Sequence, residues 1–319
     1  MASEFDLIRQ YFTRPTSHTN LGVGDDAALL TIDSGHELAI SVDMLVAGTH
    51  FLADTGPWQL GWKSLAVNIS DMAAMGAEPK WATLAIALPV ADENWIAAFA
   101  EGFFACAEAF KVDLIGGDTT RGPLCISVQI MGQVPTAHAL RRDGAKPGDD
   151  IWVSGRLGDA ALALNHLLSK HSLTDNELAQ TLPALLQPQP RVALGLALRN
   201  IAHCAIDISD GLLADLGHIL KASNLGAELC LDDIPRSAIM QQHLTNSPVL
   251  NMLLAGGDDY ELCFTAPANA HDRILQISHE LGLALSCIGT TRAEPGLLIR
   301  DRQGNLIETG ASGFDHFRQ

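Results

Sequence analysis

Aspartate recurs along this chain in short motifs beside glycine or at the ends of apolar runs: Gly24-Asp25-Asp26, Ser41-Val42-Asp43, Asn68-Ile69-Ser70-Asp71, Gly116-Gly117-Asp118-Thr119-Thr120, Asp207-Ile208-Ser209-Asp210-Gly211, Gly256-Gly257-Asp258-Asp259 and Gly313-Phe314-Asp315. Carboxylates and hydroxyls without a cysteine or histidine cluster are donors for hard divalent cations. Glycine lets the backbone come close to a bulky anion. Together they suggest a polyphosphate handled through several Mg²⁺ ions. Asp43, Asp71 and Asp118 each follow an apolar element or share its face, where a carboxylate is costly unless paired, hydrogen-bonded or metal-bound. Any one of them alone reads first as a cap or turn residue. Jointly they predict strand ends that converge on one metal site.

Gly116-Gly117-Asp118-Thr119-Thr120 reads as a phosphate-facing turn, with an ordinary glycine-rich turn as the alternative. Ser209 is expected to open a helix, after a strand that carries Asp207. It is then either a plain N-cap or a hydroxyl at a phosphate-binding helix N-terminus, with Asp207 and Asp210 on cations. Arg141 and Arg142 stand out in an acidic chain; one could clamp a phosphate, or both are solvated linker charges. His50 is a lone histidine, and the other histidines lack metal-ligand spacing. The chain has no G-x-x-x-x-G-K-[ST] loop, no G-x-G-x-x-G fingerprint and no protein-kinase signature set. Any use of ATP therefore needs another fold.

The elements that must position these residues alternate between strand and helix. Leu38 to Val42 predicts a strand ending at Asp43. Trp58 to Met75 predicts a helix, closed by Gly76 and Pro79, with Ser64, Asn68 and Asp71 on one face. Strand Trp81 to Leu88, helix Glu93 to Phe110, a strand Val112 to Ile115 running into Gly116, and strand Leu124 to Val134 follow. The polar stretch Arg141 to Asp150 marks a boundary between domains 1–140 and 141–319. Beyond it come strand Ile151 to Ser154, a helix from Ala160, a proline-rich loop from Leu182 to Pro190, and strands Cys204 to Ile208, Ala227 to Leu231 and Glu261 to Thr265. Gly-Gly-Asp occurs once in each half, a weak hint of related halves. The fold class is α/β (α+β) in two domains, each a mixed sheet packed with helices.

The 319 residues suffice for two domains with a substantial core. At 47% hydrophobic and 18% charged, the composition is that of a globular protein. The formal net charge of −17 disfavours nucleic acid and anionic membranes as partners, and would repel ATP unless cations enter with it. No C-x-x-C pair occurs among the 6 cysteines, which reads as free thiols of a reducing cytoplasm. Met1 to Asn20 is polar and charged, unlike a signal peptide. Apolar runs such as Trp81 to Ala91 fall short of the roughly 20 residues that span a bilayer.

Several of these motifs in longer form resemble thiamine-monophosphate kinases: Gly-Val-Gly-Asp-Asp-Ala-Ala-Leu, Ser-Val-Asp-Met-Leu-Val-Ala-Gly-Thr-His-Phe, Leu-Ala-Val-Asn-Ile-Ser-Asp-Met-Ala-Ala-Met-Gly-Ala, Leu-Ile-Gly-Gly-Asp-Thr-Thr-Arg-Gly, Ala-Ile-Asp-Ile-Ser-Asp-Gly-Leu, Gly-Gly-Asp-Asp-Tyr-Glu-Leu and Gly-Phe-Asp-His-Phe. The resemblance runs in order from about residue 5 to 317. It implies the two-domain fold of the aminoimidazole ribonucleotide synthetase-like superfamily, dimerisation through N-terminal strands, and Mg²⁺-assisted transfer of the ATP γ-phosphoryl group onto thiamine monophosphate. It also implies that Asp26, Ser41, Val42, Asp43, Asp71, Asp118, Asp207 and Asp210 hold Mg²⁺, and that Gly117, Asp118, Arg142 and Ser209 contact ATP. By the same resemblance His50, Asp258 and Phe314 contact thiamine monophosphate. Asp43, Asp71 and Asp118 would carry the catalysis.

Three positions depart from the family pattern. Val42 stands where threonine is common, which changes little if the main-chain carbonyl is the ligand. Asp258 stands for a glutamate one methylene longer, and Phe314 for a tyrosine or tryptophan. Among rivals, selenophosphate synthetases generally need a nucleophilic Cys or selenocysteine near the N-terminus, whereas the first Cys here is Cys106. The hydrogenase-maturation relative ends in cysteine, whereas this chain ends His-Phe-Arg-Gln. Aminoimidazole ribonucleotide synthetase would need no thiamine pocket. A non-catalytic nucleotide- or metal-binding regulator is the alternative of another class, and the complete set of Asp motifs argues against it.

Overall fold

The computed structural model describes residues 4–244 and 247–308. The chain divides into two compact units, one of residues 1–72 and 77–137, the other of residues 73–76 and 138–319. Both are mixed α/β, each built on one sheet with parallel and antiparallel pairs.

The first unit runs α1 (Glu4–Leu7), a π-helical turn (Ile8–Phe12), β1 (His36–Val46), α2 (Pro57–Ala74), β2 (Glu78–Leu88), α3 (Glu93–Phe110), β3 (Asp113–Arg121) and β4 (Cys125–Pro135). Its strands lie in the order β1-β4-β2-β3, with only β2 and β3 parallel. Period-2 alternation sorts the sheet into two faces. Ser41, Asp43 and Leu45 share a face with the buried Ile130, Val128 and Ile126 opposite them. On the other face of the same edge strand Leu38, Ile40, Val42 and Met44 form an apolar row that is 41–58% exposed. Helix α3 starts at Asp92, whose carboxylate accepts the Asn94 and Trp95 N–H groups, and ends at Lys111 in the left-handed region. It buries Ile96, Phe99, Phe103 and Cys106.

Two sequence expectations change here. β1 continues three residues beyond Asp43, so that carboxylate lies within a strand and not at its end. β3 likewise runs straight through Gly116-Gly117-Asp118-Thr119-Thr120, which is strand and not a turn. Gly117 serves close approach of two backbones. At Gly117 (φ +152°) a Cβ would lie 1.8 Å from the Leu84 carbonyl oxygen on β2.

The second unit runs β5 (Asp149–Ser154), α4 (Asp159–Leu167), α5 (Asp175–Leu186), α6 (Val192–Leu198), β6 (Cys204–Asp207), α7 (Leu212–Ser223), β7 (Gly226–Cys230), α8 (Ala238–His243), α9 (Ser247–Ala255), β8 (Leu262–Pro267), α10 (His271–Leu281), β9 (Leu285–Arg292) and β10 (Gly296–Arg300). The strand order is β10-β7-β9-β5-β8-β6, with only β10 and β7 parallel. One apolar cluster joins Ile151 and Val153 of β5 to Leu212, Leu216 and Ile219 of α7. Another joins Trp152 and Phe264 to Leu194, Leu198, Ile274 and Ile277. Helix α5 extends through Pro183 to Leu186, into the expected loop. Its start carries a full capping box, Thr174 with Glu177, which anchors the helix well before the proline.

Candidate functional site

In the first unit the donor residues are assembled by the contact between α2 and β1. β1 is an edge strand, and an outward N–H there has no ladder partner. The buried Asn68 side chain supplies one, accepting the Asp43 N–H at 3.0 Å, while its amide donates to the Ser64 carbonyl at 3.0 Å. One turn on, the Ser41 hydroxyl donates to Asp71 Oδ2 at 2.6 Å. Ser64, Asn68 and Asp71 therefore share the face of α2 that meets β1, where Ser41 is bonded to Asp71 and Asp43 lies two residues on along the same strand face. Val42 lies on the opposite face and is 58% exposed, so that residue could join these donors only through its carbonyl oxygen.

Asp118 is placed differently. Its row across the sheet is Asp118, Ala85, Ser127 and Met44, whereas the row of Asp43 is Val128, Leu84 and Gly117. Residues directly opposite one another share a face, so Asp43 and Asp118 point to opposite faces, from strands at the two edges. One residue of register sets the face of each, and neither Asp43 nor Asp118 ends its strand. Asp118 lies with the exposed apolar row of Met44.

His50 follows β1 in a tight turn. Its N–H donates to the Val46 carbonyl at 3.0 Å, and its Nδ1 accepts the Val46 N–H at 3.0 Å. That bond fixes the neutral ring with its proton on Nε2. Asp26 is exposed beside Gly24, with its N–H donated to Asp25 at 2.9 Å. An anchor the sequence did not reveal holds the segment leading there. Buried Asp113 accepts the N–H groups of Ser17 (2.9 Å) and His18 (2.6 Å) and the Thr19 hydroxyl (2.8 Å).

In the second unit two Asp motifs are fastened back to back. The Asp258 N–H donates to the Ser209 carbonyl (2.9 Å), the Tyr260 N–H to the Ile208 carbonyl (2.8 Å), and the Ile208 N–H to the Glu261 carbonyl (2.8 Å). Asp258 and Tyr260 are both left-handed, at φ +71° and +49°. Such backbone persists where surrounding bonds over-determine it. Here those bonds are the three above, the Gly158 N–H on the Asp259 carboxylate at 2.9 Å, and the Tyr260 hydroxyl on Asp258 Oδ1 at 3.3 Å. Below the turn, Arg191 holds Glu261 through two guanidinium bonds, and the Ser154 hydroxyl donates to Glu261 at 2.5 Å.

Asp207 ends β6 and is buried, while Ser209 and Asp210 are half-buried. Ser209 does not open the helix: α7 starts at Leu212, with Gly211 (φ +111°) at its N-cap. The reason is Asp215, which the sequence reading passed over. Its Oδ2 accepts the N–H groups of Ser209, Asp210 and Gly211 at 3.0, 3.0 and 3.1 Å. Burial pushes its pKa up to about 7 in spite of those donors, and the charge of Asp210 adds to the rise. An acidic residue in the first turn of the helix after Gly211 was the available signal. Of the two arginines, Arg141 pairs with Asp143 at 2.8 Å, while Arg142 is exposed and its carbonyl accepts the Ser223 hydroxyl at 3.1 Å. Phe314 lies outside the described residues.

Among the described residues no three His, Cys, Asp or Glu side chains gather into a ready cation cage. The donor set still fits Mg²⁺. This ion prefers hard oxygen, keeps several waters, and binds through one or two carboxylates together with substrate phosphates rather than in a dedicated protein cage. The cysteines are all free, and burial raises the Cys106 thiol and pushes Cys204 up to about 11, so neither is a thiolate nucleophile at neutral pH. No helix among the described residues is long and apolar enough to cross a membrane.

Two family models cover these units, the AIR synthase related protein N-terminal domain over residues 24–134 and its C-terminal domain over residues 146–301. A thiamine-monophosphate kinase of Salmonella typhimurium is 46% identical over 318 residues, covering 98% of each chain. The crystal structure of a thiamine-monophosphate kinase from Stenotrophomonas maltophilia is similar at 47% identity, with a TM-score of 0.84 over 91% of this chain and 92% of that one. The structure of AaThiL complexed with AMPPCP and TMP matches at 29% identity and a TM-score of 0.78, covering 92% of each chain. The fold is thus that of the AIR synthase-related proteins, and within them the chain belongs to the thiamine-monophosphate kinase family.

Proposed function

We propose that this chain transfers the γ-phosphoryl group of ATP directly, in line and with Mg²⁺, onto the phosphate of thiamine monophosphate, giving thiamine diphosphate and ADP. The observation that carries the reading is family membership across nearly the whole chain, with AaThiL held in complex with AMPPCP and TMP. The nucleophile is a phosphate oxygen of thiamine monophosphate. With a second phosphate pKa near 6 it is largely ionised at neutral pH, and no strong general base is required. The barrier is then mostly repulsion between two anions, made worse by a chain of net charge −17.

Bound Mg²⁺ would supply the charge neutralisation that such a transfer needs. Ser41, Asp43 and Asp71, held together by α2 and β1, are the first donor group for it, with Asp26 and the Val42 carbonyl. Asp118 on the opposite sheet face, and Asp207 and Asp210 in the second unit, complete the proposed set. Gly117, Asp118, Arg142 and Ser209 are assigned to ATP, Arg142 adding fixed positive charge. His50, fixed as the Nε2-protonated tautomer, Asp258 on its over-determined turn, and Phe314 are assigned to thiamine monophosphate. The Asp258 carboxylate suits the cationic thiazolium of that substrate.

The proposed domains are 1–140, for metal, ATP and dimerisation, and the α/β domain 141–319. The exposed row Leu38, Ile40, Val42 and Met44 supports a homodimer through β1. The free cysteines support a cytoplasmic location. Turnover with ATP, Mg²⁺ and thiamine monophosphate, followed by release of ADP, tests the reading. ATP hydrolysis without thiamine diphosphate would refute it.

A further inference from the structure

One oxygen of a buried carboxylate gathers three consecutive main-chain donors at the start of α7. Asp215 is 3% exposed, and its Oδ2 takes the N–H groups of Ser209, Asp210 and Gly211. Donors at that place, between a strand and the helix that follows, are the usual cradle for a phosphate. Here the chain fills the cradle with a carboxyl oxygen of its own. The other side of the turn is held as firmly, because the Ile208 and Ser209 carbonyls accept the Tyr260 and Asp258 N–H groups. Gly211 closes the bend at φ +111°, where a Cβ would lie 2.6 Å from the Ala255 carbonyl carbon. With its N–H groups turned inward to Asp215 and these carbonyls turned to residues 258–260, the turn presents the half-buried side chains of Ser209 and Asp210.

We propose that Asp215 is a positioning residue, which takes the place of a phosphate at the start of α7 and so fixes the Asp207–Gly211 turn with the Asp210 and Ser209 side chains, rather than its N–H groups, toward the magnesium-nucleotide. The inference rests on the reading that Asp210 and Ser209 serve Mg²⁺ and ATP. Asp215 touches neither; it acts through the three amides. Asp215→Ala leaves those amides unpaired in a buried place. Asp215→Asn keeps an oxygen of the same shape without the charge, which holds N–H donors less firmly.

The test pairs amide hydrogen exchange across residues 209–211 with calorimetric titration of AMPPCP in the presence of Mg²⁺, on the full chain and both variants. Exchange at the three amides should accelerate about tenfold or more in Asp215→Ala, with the melting profile preserved elsewhere. Affinity for the Mg²⁺–AMPPCP complex should fall about 10- to 100-fold, as on loss of a residue that orients metal ligands. Asp215→Asn should fall between, and affinity for thiamine monophosphate should change by less than about twofold. Should Asp215→Ala fail to fold, Asp215→Asn decides. A folded Asp215→Asn variant that binds Mg²⁺–AMPPCP as tightly as wild type overturns the inference, as does unchanged exchange. Wild type that binds the analogue but makes no thiamine diphosphate would sink the proposed reaction and leave this inference standing. Wild type that does not bind it overturns both.

Discussion

Ser41, Asn68 and Asp71 show how the proposed metal-binding group is ordered by the chain's own hydrogen bonds. Asn68 satisfies the outward N–H of Asp43 and the Ser41 hydroxyl orients Asp71, so the donors are ordered by hydrogen bonds that an amide in place of the carboxylate would largely keep. Asp71→Asn should therefore leave the melting temperature nearly unchanged while lowering kcat by about 100-fold or more, because it removes charge and little else. Near-normal turnover of that variant at saturating Mg²⁺ would remove Asp71 from the site. Much of this was legible in the sequence, since the spacing of Ser64, Asn68 and Asp71 sets one helix face. Asp215 was less so, because an acidic residue in the first turn of a helix signals a capping carboxylate and a surface charge alike, and only the fold buries it.

At the level of elements, Gly117 and the α5 cap bear the clearest consequences. Gly117→Ala would drive a methyl into the Leu84 carbonyl, and should lower unfolding free energy by more than about 2 kcal/mol in a denaturant titration. In α5, hydrogen bonds from Thr174 N–H, the Thr174 hydroxyl and His243 hold the Glu177 carboxyl down at about 2. A depressed carboxylate pKa adds stability that is complete above the unfolded value near 4.5 and is lost as pH falls through about 2. Glu177→Gln should therefore flatten the acid limb of the stability profile in that window, as followed by circular dichroism. Most element types could be read from periodicity, and helix Glu93 to Phe110 even to its ends, since Asp92 caps it and Lys111 closes it. The motif at Gly116 could not, because paired glycines signal a turn and a tightly pressed strand alike, and only the pairing with β2 separates the two. For the same reason the opposite facing of Asp43 and Asp118 emerges only from strand register.

At the scale of the whole molecule, the proposed reaction brings anionic substrates to a strongly acidic chain with Mg²⁺ between them, so chelation should abolish turnover, with activity returning on addition of Mg²⁺. The apolar row on β1 should make the protein a dimer of twice its 34.0 kDa chain mass in sedimentation equilibrium. Charging that row with Val42→Glu and Met44→Glu should give monomer. The family could be read from the sequence because its motifs are long and run in order along the chain. The most direct measurement is a phosphorus NMR time course of the protein with ATP, Mg²⁺ and thiamine monophosphate. The β-phosphorus of thiamine diphosphate should appear in step with ADP. ADP and inorganic phosphate accumulating with no thiamine diphosphate, or an unchanged spectrum, would contradict the account.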